Sequence, residues 1–184
     1  MSLPHIGDLV SLPALDHPGL LAEPVARELS GWEHAGEVAV VEIDPDLADT
    51  AAMSKAYDVP MAASANCVVV SGRRAGEERV AACVVRADTR ADVNNLVKRR
   101  LDVRKASFLA MERAVEETRM EYGGITPVGL PLGEETGWRL LVDAACLDID
   151  VAVIGSGIRR SKLLLPGPRL GDLPGAEIVE GLGI

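Results

Sequence analysis

The chain has 184 residues, 48% of them hydrophobic and 26% charged, and a formal net charge of −9. This is the composition of one globular domain able to bury a core, and its acidity excludes a surface that attracts nucleic acid as a whole. The only aromatics are Trp32, Tyr57, Phe108, Tyr122 and Trp138, so the core falls to Val, Leu, Ile and Ala, and an aromatic platform for stacked single strands is disfavoured.

Residues 1–36 are broken by Pro4, Pro13, Pro18 and Pro24, and only 20–30 suits a short helix. The segment reads as an N-terminal extension that packs on the domain or frays, and it holds all three histidines, His5, His17 and His34. It lacks the basic start and apolar run of a signal peptide. No stretch approaches the roughly 18 apolar residues of a membrane span, and a cytoplasmic location is expected. Cys67, Cys83 and Cys146 are odd in number and lack C-x-x-C spacing, against both a disulfide framework and a zinc site.

The regular domain is expected over 37–184. Residues 37–43 predict a strand. Asp44 then reads as an N-cap with Pro45 at the first helical position, opening a helix that runs to Tyr57. Strands at 66–71 and 79–86 form a hairpin across the polar loop GRRAGEE, and their nearly continuous apolar character predicts cover on both faces. Thr89 with Asp92 resembles a capping box, and Val93, Leu96, Val97 and Leu101 place an amphipathic helix over 90–101. A short strand at 104–109 and a helix at 111–119 follow. Strands at 139–143, 150–155 and 161–165, a turn at 168–173 and a last strand near 177–180 complete an α/β domain with a curved, mixed sheet.

Between the helix and the strand at 139 lies EYGGITPVGLP, residues 121–131. Gly123 and Gly124 let backbone amides approach a ligand and permit positive φ, and Pro127 pushes Thr126 towards extended geometry. Such a loop presents a crest of N–H groups to a carbonyl or phosphate oxygen; the plain alternative is a structural turn. Other chemistries are excluded. With no histidine after His34 the domain has neither a Ser-His-Asp triad nor a histidine metal cluster of its own. Cys67, mid-strand in an apolar run, reads as a buried small hydrophobe. Gly155-Ser156-Gly157 is no dinucleotide fingerprint, since Arg160 stands in the place of the third glycine.

The order of these features resembles the YbaK/prolyl-tRNA synthetase-associated domain family, which removes wrong amino acids from tRNA. The likeness rests on Gly123 to Pro127 as its Gly-x-x-x-Pro loop, on Val142-Asp143 ending a later strand, and on the strand entering Gly155-Ser156-Gly157. It implies a partly closed sheet with helices outside and the loop at one mouth. It also implies trans hydrolysis of a mischarged small amino acid from the 3′ end of tRNA, with no cofactor and no metal, and leaves room for a partner from the translation machinery. In this reading Asn66, Gly123, Gly124 and Pro127 are catalytic, while Tyr122, Ile125, Thr126, Gly129, Asp143, Gly155, Ser156 and Gly157 bind substrate. Asp143 can equally cap the turn at Ala144, and the Gly-Ser-Gly segment can be a plain tight turn.

The sequence departs from the family at one position. The family usually opens the strand read as 66–71 with a lysine, and Asn66 stands there, its side chain expected to face the pocket. Lys55 and Lys105 are candidates to replace the missing charge. Loss of the lysine supports a rival reading, a binding module without catalysis. Two basic patches, Lys98, Arg99, Arg100, Arg104 and Lys105 and then Arg159, Arg160 and Lys162, are candidate tRNA contacts or simply solvated faces.

Overall fold

The computed structural model describes residues 2–184. In chain order the main elements are β1 (Leu12–Pro13), α1 (Glu23–Gly31), β2 (Ala39–Glu42), α2 (Thr50–Ala56), β3 (Ala65–Arg74), β4 (Glu77–Arg86), α3 (Lys98–Arg100), β5 (Ala106–Phe108), α4 (Met111–Thr118), β6 (Trp138–Asp143), β7 (Ala152–Gly155), β8 (Ser161–Leu165) and β9 (Ala176–Val179). The fold is mixed α/β. The strands make two sheets, ordered β1-β2-β8-β7 and β5-β3-β4-β6-β9. One parallel bridge, Ser64 to Val153, links them at the start of β3. The expected partial closure is therefore not found: the sheet stays open, with β7 and β3 meeting at a single bridge.

The apolar β3–β4 hairpin is covered on both faces, as its composition requires. Ala65, Val69, Val80, Ala82 and Val84 face the main core, and Val70, Ala81, Cys83 and Val85 face a second core with Val97 and Leu101. Its expected polar loop is mostly strand. Pairing continues to Arg74 opposite Glu77, and the chain reverses at Ala75 and Gly76, both at positive φ, as a two-residue hairpin turn demands. Glu77 and Glu78 stand opposite Arg74 and Arg73 in the ladder, while the side-chain ion pairs run outward, Arg74 to Asp102 and Glu78 to Arg113.

Two helices differ from expectation at their starts. Asp44 caps only a short 3-10 turn through the Asp46 N–H, and Asp49 opens α2 by accepting from the Ala51 and Ala52 N–H groups. The single helix from Asp44 to Tyr57 is thus broken at Ala48–Asp49. Thr89 and Asp92 form no box: the Thr89 hydroxyl donates to the Arg86 carbonyl, and Asp92 caps a π-turn over Val93–Val97 that leads into α3.

Residues 2–36 are packed into the main core through Leu9, Leu20, Leu21, Val25 and Leu29, and β1 adds to the edge of β2. Their backbone also supports the turn after β7. The Ala22 N–H donates to the Ser156 carbonyl at 3.0 Å, and the Ser161 hydroxyl to the Leu20 carbonyl at 2.6 Å.

Candidate functional site

The Gly-Gly loop leaves α4 after Arg119, in left-handed conformation, and packs on the turn between β7 and β8. Three backbone bonds lock the two together or close the loop: Glu121 N–H to Gly157 O at 2.8 Å, Gly157 N–H to Gly124 O at 2.8 Å, and Gly124 N–H to Glu121 O at 2.9 Å. Glycine is needed on both sides of this contact. A Cβ at Gly155 would collide with the Gly124 carbonyl and stand 2.8 Å from the Ile125 oxygen; one at Gly124 would stand 2.8 Å from the Ile158 nitrogen. Of the glycine pair only Gly123 has positive φ, at +80°. Gly124 is required by close packing rather than by left-handed backbone.

This geometry sorts the loop amides. The Gly124 N–H is committed to Glu121 and so is lost as a donor, whereas those of Gly123, Ile125 and Thr126 have no protein acceptor among the described residues. Thr126 is fully buried, and its hydroxyl has no partner either. Pro127 is buried and Ile125 packs at the edge of the main core. Tyr122 stands 62% exposed at the rim. Gly129, at φ +80°, closes the loop against the Pro24 and Val25 backbone.

Two cations border the loop. Arg159 lies over Gly123: its guanidinium donates to the Tyr122 carbonyl at 3.3 Å and to the Pro45 carbonyl at 2.9 Å, and its backbone N–H donates to the Glu121 carboxylate at 2.7 Å. Lys162 is only 6% exposed. It sits on β8 directly opposite Gly155 of β7, and directly paired residues of an antiparallel ladder project from the same face. The lysine therefore leaves the sheet on the face where the Gly124 and Ile125 carbonyls cover Gly155. Its Nζ donates to the Ala48 carbonyl at 3.0 Å. Burial first, then the Arg159 charge, push its pKa down to about 8, with Asp49 opposing. Arg160, the third member of that basic patch, is exposed and donates to the Gly19 carbonyl.

Of the remaining residues expected at the site, Asn66 and Asp143 lie apart from the loop, while Ser156 and Gly157 adjoin it through backbone bonds. Asn66 and Val68 line a separate groove of about 530 Å³ with Val85, Asp92, Phe108 and Ile184, containing nothing from 121–131. The Asn66 amide oxygen accepts from the Thr50 hydroxyl at 2.8 Å, so it reaches the start of α2 and not the loop. Ala65 and Cys67, of opposite parity, face the core that receives Ile125. β3 carries no cation before Arg73. Asp143 is buried and accepts from the Gly183 N–H at 3.0 Å, and no side-chain cap forms at Ala144; it fastens the C-terminal segment. Ser156 is saturated by Ser161 and the Ile158 carbonyl and turns inward, while Gly157 packs on Ala22. Burial raises the Cys67 thiol well above its ordinary pKa, which suits a packing role. Lys55 and Lys105 are exposed.

Sequence reasoning grouped Lys162 with a surface patch, whereas the structure buries it on the sheet face behind the loop. The sequence carries little signal for this: Lys162 follows Ser161 at the start of the strand, next to two arginines, and only its burial marks it out.

Comparisons with known proteins agree with this architecture. The crystal structure of "a putative trans-editing enzyme for prolyl tRNA synthetase" superposes with a TM-score of 0.71 at 19% identity, covering 86% of this chain and 94% of that one. The crystal structure of a hypothetical protein gives 0.73 at 20% identity, covering 88% and 100%. Comparison with curated proteins returns no match. The model of the aminoacyl-tRNA editing domain matches residues 44–173, a span that takes in the 45–48 turn, the Gly-Gly loop and both cations, and the chain belongs to that family.

Proposed function

We propose that this protein is an aminoacyl-tRNA deacylase that acts in trans in the cytoplasm, hydrolysing the ester between a small misattached amino acid and the tRNA 3′ end. The observation that carries this reading is the loop itself: the Gly123, Ile125 and Thr126 amides lie free of protein acceptors in a loop bordered by Arg159. An aminoacyl ester is already activated. Fixed donors aimed at the oxygen that gains charge, with a positioned water, suffice to speed its hydrolysis. At the rim, Tyr122 suits stacking on the terminal adenine and Arg159 suits the charge of the adjoining phosphate. No helix among the described residues is long and apolar enough to cross a membrane.

A second reading is favoured by one observation, the absence of any cation at the start of β3. It is a module that binds aminoacyl-tRNA without cleaving it. Incubation with a panel of mischarged tRNAs separates the two. The deacylase reading expects at least one ester to decay well above its spontaneous rate, and the binding reading expects protection or no change alongside measurable affinity.

A further inference from the structure

The match to the editing-domain family begins at residue 44, yet a segment before that point grips the candidate site at three places. At the turn between β7 and β8, the Arg160 guanidinium donates to the Gly19 carbonyl at 2.6 Å and the Ser161 hydroxyl to the Leu20 carbonyl at 2.6 Å. The Ala22 N–H donates to the Ser156 carbonyl at 3.0 Å, and the Ala22 Cβ packs directly on Gly157. At the end of the Gly-Gly loop, a Cβ on Gly129 would stand 2.6 Å from the Pro24 carbonyl oxygen, so the two backbones are in contact. At the start of the loop, the Glu23 carboxylate pairs at 3.0 Å with Arg119, the left-handed residue that ends α4. Residues 19–25 thus touch both ends of the loop and the turn on which it packs.

The segment is a firm support because it is itself anchored. Leu20, Leu21 and Val25 are buried in the main core, and a close-packed interior holds the backbone that carries them. The loop has little else to hold it: Glu121, Gly124 and Gly157 supply its three backbone bonds, and a surface loop with so few bonds opens locally at small cost. We propose that residues 19–25 are a positioning element of the site. They fix the loop and the β7–β8 turn against each other, and with them the loop amides that carry the proposed chemistry. They act without touching substrate, through placement, and a displacement of about 1 Å at a reacting centre costs about 100-fold in rate. The exposed pair of Glu23 with Arg119 adds little; the bonds at the turn and the contact at Gly129 carry the effect.

The kinetic arm of the test rests on the deacylase reading, and a second arm does not. Ala22→Pro suits the local backbone, since Ala22 has φ −65° and Leu21 is extended; it removes the N–H that holds Ser156 and puts a ring carbon in its place. Ser161→Ala removes the bond to Leu20, and Arg160→Gln, at an exposed position, the bond to Gly19. Val179→Ala, in the second core on the edge strand β9, is the control for a plain loss of stability, compared at equal Tm. Hydrogen exchange at the Glu121, Gly124 and Gly157 amides should quicken by roughly 10-fold in Ala22→Pro and Ser161→Ala relative to the control. With a mischarged tRNA that the native protein hydrolyses, kcat should fall by roughly 10–100-fold in both, with KM little changed. Native exchange and native kcat in the folded variants overturn the proposal, and so do losses that the control shares. Ser161→Ala and Arg160→Gln decide by the same exchange measurement where Ala22→Pro does not fold. Faster exchange in these variants, with no ester cleaved by the native protein, upholds the positioning role and overturns the deacylase reading.

Discussion

Replacing Lys162 by methionine should make the protein more stable at neutral pH. The lysine's pKa is displaced from 10.5 to about 8, a difference equivalent to about 3 kcal/mol in favour of the neutral form in the folded state. The sign follows from proton binding. Below pH 8 both states carry the charge and the full penalty is present. Between about 8 and 10.5 the unfolded chain holds a proton that the folded one has released, so folding stability from this group rises with pH. Methionine keeps the stem and removes the charge. It also strips the Ala48 carbonyl of its donor, which costs about 1 kcal/mol. The net expectation is about 2 kcal/mol of added stability at pH 7, or about 5 °C in Tm for a chain of this size. That advantage should shrink and reverse towards pH 10.5. Urea titrations of both proteins at pH 7 and pH 10 measure the difference and cancel every group they share. A gap that does not change with pH would refute the assignment of a strained, buried ammonium. A native protein more stable than Lys162→Met at pH 7 would do the same.

Three further outcomes are expected. Gly155→Ala places a methyl against the Gly124 carbonyl; the backbone must move at a cost of about 1–3 kcal/mol, and ester hydrolysis should fall in a variant that a thermal melt shows still folded. Asn66→Lys should leave the rate unchanged and lower stability by about 1 kcal/mol through loss of the Thr50 bond, read by parallel hydrolysis assays and melts. Arg99→Ala with Arg100→Ala removes two exposed charges at α3; if that helix docks tRNA, affinity falls alike for different tRNAs and its salt dependence flattens, whereas unmoved affinity and slope leave α3 as a solvated face.

Much of the fold was legible because its elements are patterned locally. The apolar runs of β3, β4, β6 and β8 were located to within a few residues, and the Gly-Gly loop stood out between a helix and a strand. What failed were features set by distant partners. The polar stretch after Gly72 reads as a loop, but its charged side chains find partners on other elements, Arg74 on Asp102 and Glu78 on Arg113, and the ladder runs on to Arg74 and Glu77. Asp44 looked like the cap of a long helix, although Asp49 offers a second cap five residues on. At the site, Asn66 was assigned by its position in the strand, yet period-two alternation gives no absolute facing until a neighbour is known. Ser156 and Asp143 were plausible by type, but both spend their polar atoms on the chain itself. Lys162 was hidden for the opposite reason. Its burial depends on pairing with Gly155 across a turn, and a charge beside two arginines reads as surface from sequence alone.

The most direct measurement is the rate of amino acid release from a panel of tRNAs charged with small non-cognate amino acids, followed against the spontaneous rate. At least one ester should be cleared well above background by the native protein, with the enhancement lost in Gly155→Ala. A folded native protein that leaves every ester at its spontaneous rate would contradict the account.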